Sequence, residues 1–346
     1  MTQQPTHSRS RQRGFGLIEL MIGVLIGLFV IGGALNVFLS GTRSFRTNES
    51  ASRMQENARI AFELFARDMR EAGGNPCGSL LVANALSNAS SNWWSDWSSG
   101  PLLGVAANSA SPLGAQSAGT AAASRVAATD AVIIRTATSD NNPLAIQYST
   151  GTDHLEVTQG ANHGLQLGDV VMACGNKHAL IFQVTSDGTA DIQRGATGNC
   201  SAGGFDYVAP PVCPSAGDAS QMAGGYLTKL GAMHWYVANN GRDGRSLYRQ
   251  TIAASSGALT QPTVEMVEGV QSMRLRYLIE GQTTYLAADD ATFTGTPANW
   301  KQVVAVQVEL DLVSTEQTGS NASGAKAALG RTVTFVVRLR NAGANR

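Results

Sequence analysis

Residues 13–42 read RGFGLIELMIGVLIGLFVIGGALNVFLSGT, and this stretch decides how the rest of the chain must be arranged. No charge occurs from Leu20 to Thr42, and Leu20–Leu39 is almost wholly apolar. Twenty such residues in a helix reach about 30 Å, the thickness of one bilayer core. Arg9, Arg11 and Arg13 precede the span with no acid among them, and a large polar remainder follows. That asymmetry sets the N-terminus in the cytoplasm. A cleaved secretory signal would have a shorter apolar core ending at a small-x-small site. Gly32-Gly33-Ala34 could pass for one, but apolar sequence continues to Leu39. A plain signal anchor is the stronger competitor. One acid, Glu19, stands just inside the apolar segment. A charge at the centre of a spanning helix costs about 3 kcal/mol, less near the interface, and such a residue usually has a partner.

Beyond the span the pattern becomes amphipathic. Met54, Ala58, Phe62, Phe65, Met69 and Ala72 recur at spacings of three or four, with Glu56, Arg59, Glu63, Arg67, Asp68 and Arg70 between them. This predicts a helix laying one apolar face on a globular head. Gly73-Gly74-Asn75-Pro76 stops it. Unbroken from Phe15 to Ala72, the helix would run about 87 Å. Gly32 and Gly33 are the points where it could bend, at about 1 kcal/mol each relative to Ala.

The remainder divides by composition. Residues 73–129, rich in Ser, Ala, Asn and Gly, read as a long loop region. Trp93, Trp94 and Trp97 lie within it, as a partner-binding surface or, the favoured reading, as a loop folded back over a sheet. Residues 130–346 read as a β-rich head. Strands are expected over 131–136, 169–173, 179–185, 233–238 and 246–252, the last two flanking the turn signal Asn239–Gly244. Alternation is cleanest toward the C-terminus. Val304, Val306, Val308, Leu310 and Leu312 share one face, as do Val333, Phe335, Val337 and Leu339, and Met273, Leu275, Tyr277 and Ile279. Each predicts a half-buried antiparallel strand, so the fold class is α+β.

Charge and cysteines bound the function. Lys+Arg and Asp+Glu are equal at 25 each, so no overall field recruits nucleic acid, and only 14% of residues are charged. Cys77, Cys174, Cys200 and Cys213 form an even set, which in an exported chain reads as two disulfides with three possible connectivities. Cys174 and Cys200 flank a hairpin, which would leave Cys77 with Cys213. The competing metal site, suggested by Cys174 and His178, lacks a second tight pair. No Gly-x-Ser-x-Gly elbow, phosphate loop or His-Glu-x-x-His occurs, and the five histidines are scattered. The oxygen-rich stretch Asn239–Asp243 is a turn rather than a calcium loop. No catalytic group, cofactor or metal is expected.

Arg13-Gly14-Phe15-Gly16-Leu17-Ile18-Glu19-Leu20 resembles the class III signal of type IV prepilins. The resemblance implies that a prepilin peptidase cuts after Gly14, that the Phe15 amine is methylated, and that Glu19 serves subunit assembly. Residues 1–14 are then the leader and 15–72 the long helix, with its membrane segment at about 20–39. Gln55–Arg59, Arg67–Gly73, Cys77, Gly168–Cys174 and Ala179–Thr185 are similar to segments of PilW-type minor pilins. Val267–Gln271 with Leu275-Arg276-Tyr277 also resembles the J-type pseudopilin of type II secretion. A minor-pilin resemblance implies other minor pilins, the major pilin, the inner membrane and a tip adhesin as partners. It also implies a place in pilus priming, adhesion and twitching motility. The rivals are a J-type pseudopilin and, from a different class, a signal-anchored periplasmic enzyme or binding protein.

Overall fold

A long apolar-then-amphipathic helix must cover its docking face with something flat, and the β-rich remainder supplies it. The computed structural model describes residues 16–73, 77–78, 80–97, 100–112, 114–137, 143–186, 191–317, 319–320 and 326–341. Helix α1 (Leu17–Glu71) is continuous over 55 residues, passing through Gly32 and Gly33 without a break, and is about 82 Å long. It ends where the Ala72 amide donates to the Met69 carbonyl and Gly73 turns away at φ +78°. That left-handed conformation is one glycine adopts without penalty.

Eighteen strands follow among the described residues. They are β1 (Leu81–Asn84), β2 (Leu102–Val105), β3 (Ala131–Ala137), β4 (Leu144–Ala145), β5 (His154–Glu156), β6 (Val170–Cys174), β7 (His178–Gln183), β8 (Asp191–Gln193) and β9 (Tyr226–Asn239). Then come β10 (Arg245–Thr251), β11 (Ala253–Ser255), β12 (Ala258–Thr260), β13 (Thr263–Glu268), β14 (Val270–Ile279), β15 (Val303–Val313), β16 (Gly319–Ser320), β17 (Lys326–Ala327) and β18 (Gly330–Arg338). The segment expected as loop, 73–129, thus lends β1 and β2 to the sheet, where they pair with β7 and β3.

A nine-stranded sheet is organised around β9. Its first half pairs with β6 and β4, and its second half with β3 and β10. The second sheet has three antiparallel strands in the order β14-β15-β18. Gly269 carries the chain from one sheet to the other. It sits at φ +82°, and a Cβ there would lie 2.6 Å from the Val313 carbonyl oxygen, so the corner requires glycine. The C-terminal half of α1 packs where the two sheets meet. Met54, Ala61, Phe65, Ala66, Met69 and Ala72 are buried with Trp235, Val237, Met273, Leu275, Val306 and Val308.

The alternation read from sequence places Met273, Leu275, Tyr277 and Ile279 inside, as expected, and likewise Val306, Val308, Leu310 and Leu312. Val304 departs from that set. The β14–β15 register shifts between Leu278 and Ile279, whose partners are Ala305 and Val303, so Val304 bulges out of line and its two neighbours are buried instead.

Candidate functional site

The site follows from a change of surroundings along α1. From Leu17 to Phe45 its apolar side chains are exposed, Phe29 by 76% and Val37 by 74%, and none of the apolar stretch is buried inside the protein. A patch of this size is far larger than a monomer leaves in water, so it needs lipid or other apolar helices around it. The polar side chains inside the stretch are turned back on the backbone. Asn36 Nδ2 donates to the Gly32 carbonyl at 3.0 Å, and Thr42 Oγ1 donates to Phe38 at 2.6 Å. Polar groups folded back in this way do not call for water inside a hydrocarbon layer. At the start of the helix Glu19 Oε2 accepts from the Gly16 amide at 3.2 Å, occupying an otherwise orphan helical donor. Gly14 and Phe15, the expected cleavage and methylation positions, lie outside the described residues.

The other half of α1 is fixed to the head. Phe65 is fully buried, edge-on to Trp235 at 5.5 Å and to Phe335 at 6.3 Å, while Phe62 meets Phe335 at 4.8 Å. Asp68, one of the polar positions of the helix pattern, is also buried. Its Oδ2 accepts from Trp235 Nε1 at 3.0 Å and from Arg249 Nη1 at 3.1 Å, and the Arg249 guanidinium lies 5.8 Å over the Trp235 ring. A buried carboxylate holding donors from two adjacent strands specifies one seating of the helix on the sheet. Sequence reasoning missed this role because Asp68 has the spacing of a solvent-facing residue; only the pairing of β9 with β10 brings Trp235 and Arg249 together.

All four cysteines are bonded, as Cys77–Cys174 and Cys200–Cys213. The expected pairing of Cys174 with Cys200 and Cys77 with Cys213 is therefore corrected. The hairpin of β6 and β7 turns over 175–177 and ends at Gln183, well short of Cys200, whose amide instead donates to Ala85. Cys77–Cys174 ties the chain just beyond α1 to the end of β6. Its sulfur engaged, Cys174 is no metal ligand, and His178 Nε2 contacts the Phe205 carbonyl oxygen at 2.7 Å.

The remaining candidates resolve into structure. Trp93 and Trp94 are buried, Trp93 Nε1 donates to Gln261 Oε1 at 2.9 Å, and the loop is folded back over the sheet. Arg135 holds it from beneath, donating to the carbonyls of Trp93 and Gly100. Burial pushes that guanidinium down to about 10, with Asp96 opposing the shift. His234 stacks on Tyr236 at 4.7 Å, and burial pushes it down to about 3, so it is neutral in the fold. Asn240 Oδ1 accepts from the amides of Arg242 and Gly244, closing the β9–β10 turn.

One grouping escaped the sequence reading. His154, Glu156 and Asp191 offer ligand atoms within 4.8 Å of one another on the β5–β8 ribbon. All three are half-exposed, and their cross-strand spacing leaves no sequence motif. Partly exposed acids often gather without an ion, so this grouping carries no metal assignment. The four described histidines contact Asp153, the Leu165 amide, the Phe205 carbonyl and Gln250.

A spanning apolar helix headed by one acid, with its second half pinned to a disulfide-bonded β head, defines a membrane-anchored subunit of the pilin class. Residues 9–35 match the prokaryotic N-terminal methylation motif, and residues 234–341 match the type IV pilus-assembly protein W family. Both matches support a type IV pilin of the PilW type, one over the N-terminal segment and one over the C-terminal part of the head. No curated protein and no solved structure gives a significant match. The second match runs from β9 to the end of β18, which includes Trp235, Arg249 and Phe335, the head residues that grip α1.

Proposed function

We propose that this chain is a minor pilin that primes type IV pilus assembly and sits at or near the fibre tip, supporting adhesion and twitching motility. It is made as a prepilin in the inner membrane, with the N-terminus cytoplasmic and the head periplasmic, and later lies on the pilus at the cell surface. It acts as a structural subunit rather than an enzyme. Its partners are prepilin peptidase, other minor pilins, the major pilin and a tip adhesin. The single observation that carries the reading is the wholly exposed apolar half of α1 with Glu19 at its head, continuous with a docked half.

Cleavage after Gly14 converts the Phe15 amide into an α-amine with a reference pKa near 8, hence a cation at neutral pH. That cation is four residues from Glu19 in sequence, so at a shared membrane depth the amine of one subunit can pair with the acid of the next. In low dielectric such a pair sets register even where its net energy is small after desolvation. In the isolated chain the Gly16 amide occupies Glu19 Oε2, and a neighbour's amine would compete for or share the same carboxylate.

The test is the state of the protein recovered from sheared pili. Its first residue should be a methylated Phe15, with a formal charge of −3 after three arginines leave. Glu19→Ala should spare membrane insertion and cleavage yet impair entry into the fibre, and Glu19→Gln should resemble it. A mature chain beginning at Met1, or normal incorporation of Glu19→Ala, would remove the reading's main support. Recovery from a secretion pseudopilus rather than a surface pilus would assign the J-type alternative.

A further inference from the structure

The two edges of the three-stranded sheet are treated differently. Along β14, the outward groups are taken up. The Met273 carbonyl accepts from the Asp130 amide, the Leu275 amide donates to Asp130 Oδ2, and Tyr277 exchanges both main-chain bonds with Leu286. Along β18 they are open. The Leu339 amide donates to Val304 and the Ser314 amide to Leu329, so the odd-numbered residues of β18 face β15. The amides and carbonyls of Thr332, Thr334, Val336 and Arg338 therefore point outward, and none has a partner among the described residues. This edge spans nine residues, about 27 Å. Its register with β15 is unbroken, and it contains no proline and no bulge, the devices that usually blunt an open edge.

We propose that the outer edge of β18 receives an extended strand from the head of a neighbouring, different pilin subunit. The proposal rests on the pilus reading above. A row of alternating donors and acceptors at strand spacing is satisfied by an extended backbone and by little else. The solvent-face side chains at its centre, Thr332, Thr334 and Val336, are uncharged and strand-favouring, and Val336 is 51% exposed. Arg338 and Arg340 are exposed at the C-terminal end. The matching strand therefore has an uncharged centre and a carboxylate toward that end.

A second copy of this chain does not suit the same edge. β18 runs in the same sense as α1, because Phe335 meets Phe62 while the Arg340 amide, further along, reaches the Arg70 carbonyl. Antiparallel edge-to-edge pairing of two copies would reverse one helix relative to the other. Helices anchored in one membrane with the same orientation cannot do that, and in-register parallel pairing, which would keep them aligned, sets Arg338 and Arg340 of each copy beside their own counterparts.

The experiment uses the full-length chain in cells lacking the native copy. Thr334→Pro removes an outward donor while leaving the bonds to β15 intact, a position where an edge strand tolerates proline. Val336→Lys places a charge on the uncharged centre. A photo-cross-linking amino acid at position 332, exposed on the same edge, should link to a head strand of a second protein bearing a prepilin leader, identified by mass mapping. Both variants should keep wild-type thermal midpoints and membrane levels, and should lose that cross-link and association with that protein by about tenfold. Should Thr334→Pro fail to fold, Val336→Lys decides alone. Variants that associate as the wild type does, or a cross-link to another copy of this chain, would overturn the proposal. If the wild type enters pili and the variants do so equally, the edge assignment falls and the pilus reading stands. If the wild type never enters pili, both fall.

Discussion

The two halves of α1 share one uninterrupted backbone and meet opposite environments. From Leu17 to Phe45 large apolar side chains face outward on every side, whereas from Met54 to Ala72 they converge on one face and are buried against two sheets. The first half is apolar all round, so it suits a uniform apolar solvent. The second is apolar along one stripe, so it suits the boundary between a protein core and water. One helix can therefore join a membrane, or a bundle of similar helices, to a folded head without a hinge. Stability of the head should depend on the second half and be indifferent to the first.

Four substitutions test that division, from the largest effect to the smallest. Phe65→Ala empties a fully buried site between Trp235 and Phe335 and should destabilise the head by about 3–5 kcal/mol, read from denaturant unfolding of the detergent-solubilised chain. Replacing Cys77 and Cys174 together by Ser reopens a loop with a sequence separation of 97, and should cost about 2–4 kcal/mol without changing the anchor. Asp68→Asn keeps the shape but removes the charge facing Trp235 and Arg249, and should cost about 1–2 kcal/mol. Its fluorescence should report a changed Trp235 environment; an unchanged spectrum and stability would mean the carboxylate does not seat the helix. Phe38→Ala, in the exposed half, should leave head unfolding unchanged and weaken only retention in membranes. A loss of head stability from that change would erase the distinction between the halves.

How much of this was readable in advance depended on the range of the interaction. The apolar span, the amphipathic stripe and the C-terminal strands are patterns over ten to twenty consecutive residues. Met273, Leu275, Tyr277 and Ile279 went inside as their alternation required. Val304 did not follow its alternation because one bulge in the β14–β15 ladder, set by strand pairing, shifts the phase. Asp68 looked like any solvated helix acid because its donors lie 167 and 181 residues away. The cysteine pairing failed for the same reason. Cys174 meets Cys77 across 97 residues, while the nearer argument from a flanking hairpin pointed to Cys200.

The leader charges, the glycine–phenylalanine junction, Glu19 and the 23 charge-free residues after it are legible without coordinates, because a bilayer responds to length and polarity along one segment. The two family matches fall on that segment and on the run between residues 234 and 341. Folding added everything that needs two distant segments at once. It seated α1 through Asp68, bonded Cys77 to Cys174, covered the edge of β14 with Asp130 and Leu286, and left the edge of β18 without a partner among the described residues. A hydrogen bond or disulfide acts over a few ångströms in space and carries no trace of how many residues of chain lie between its ends.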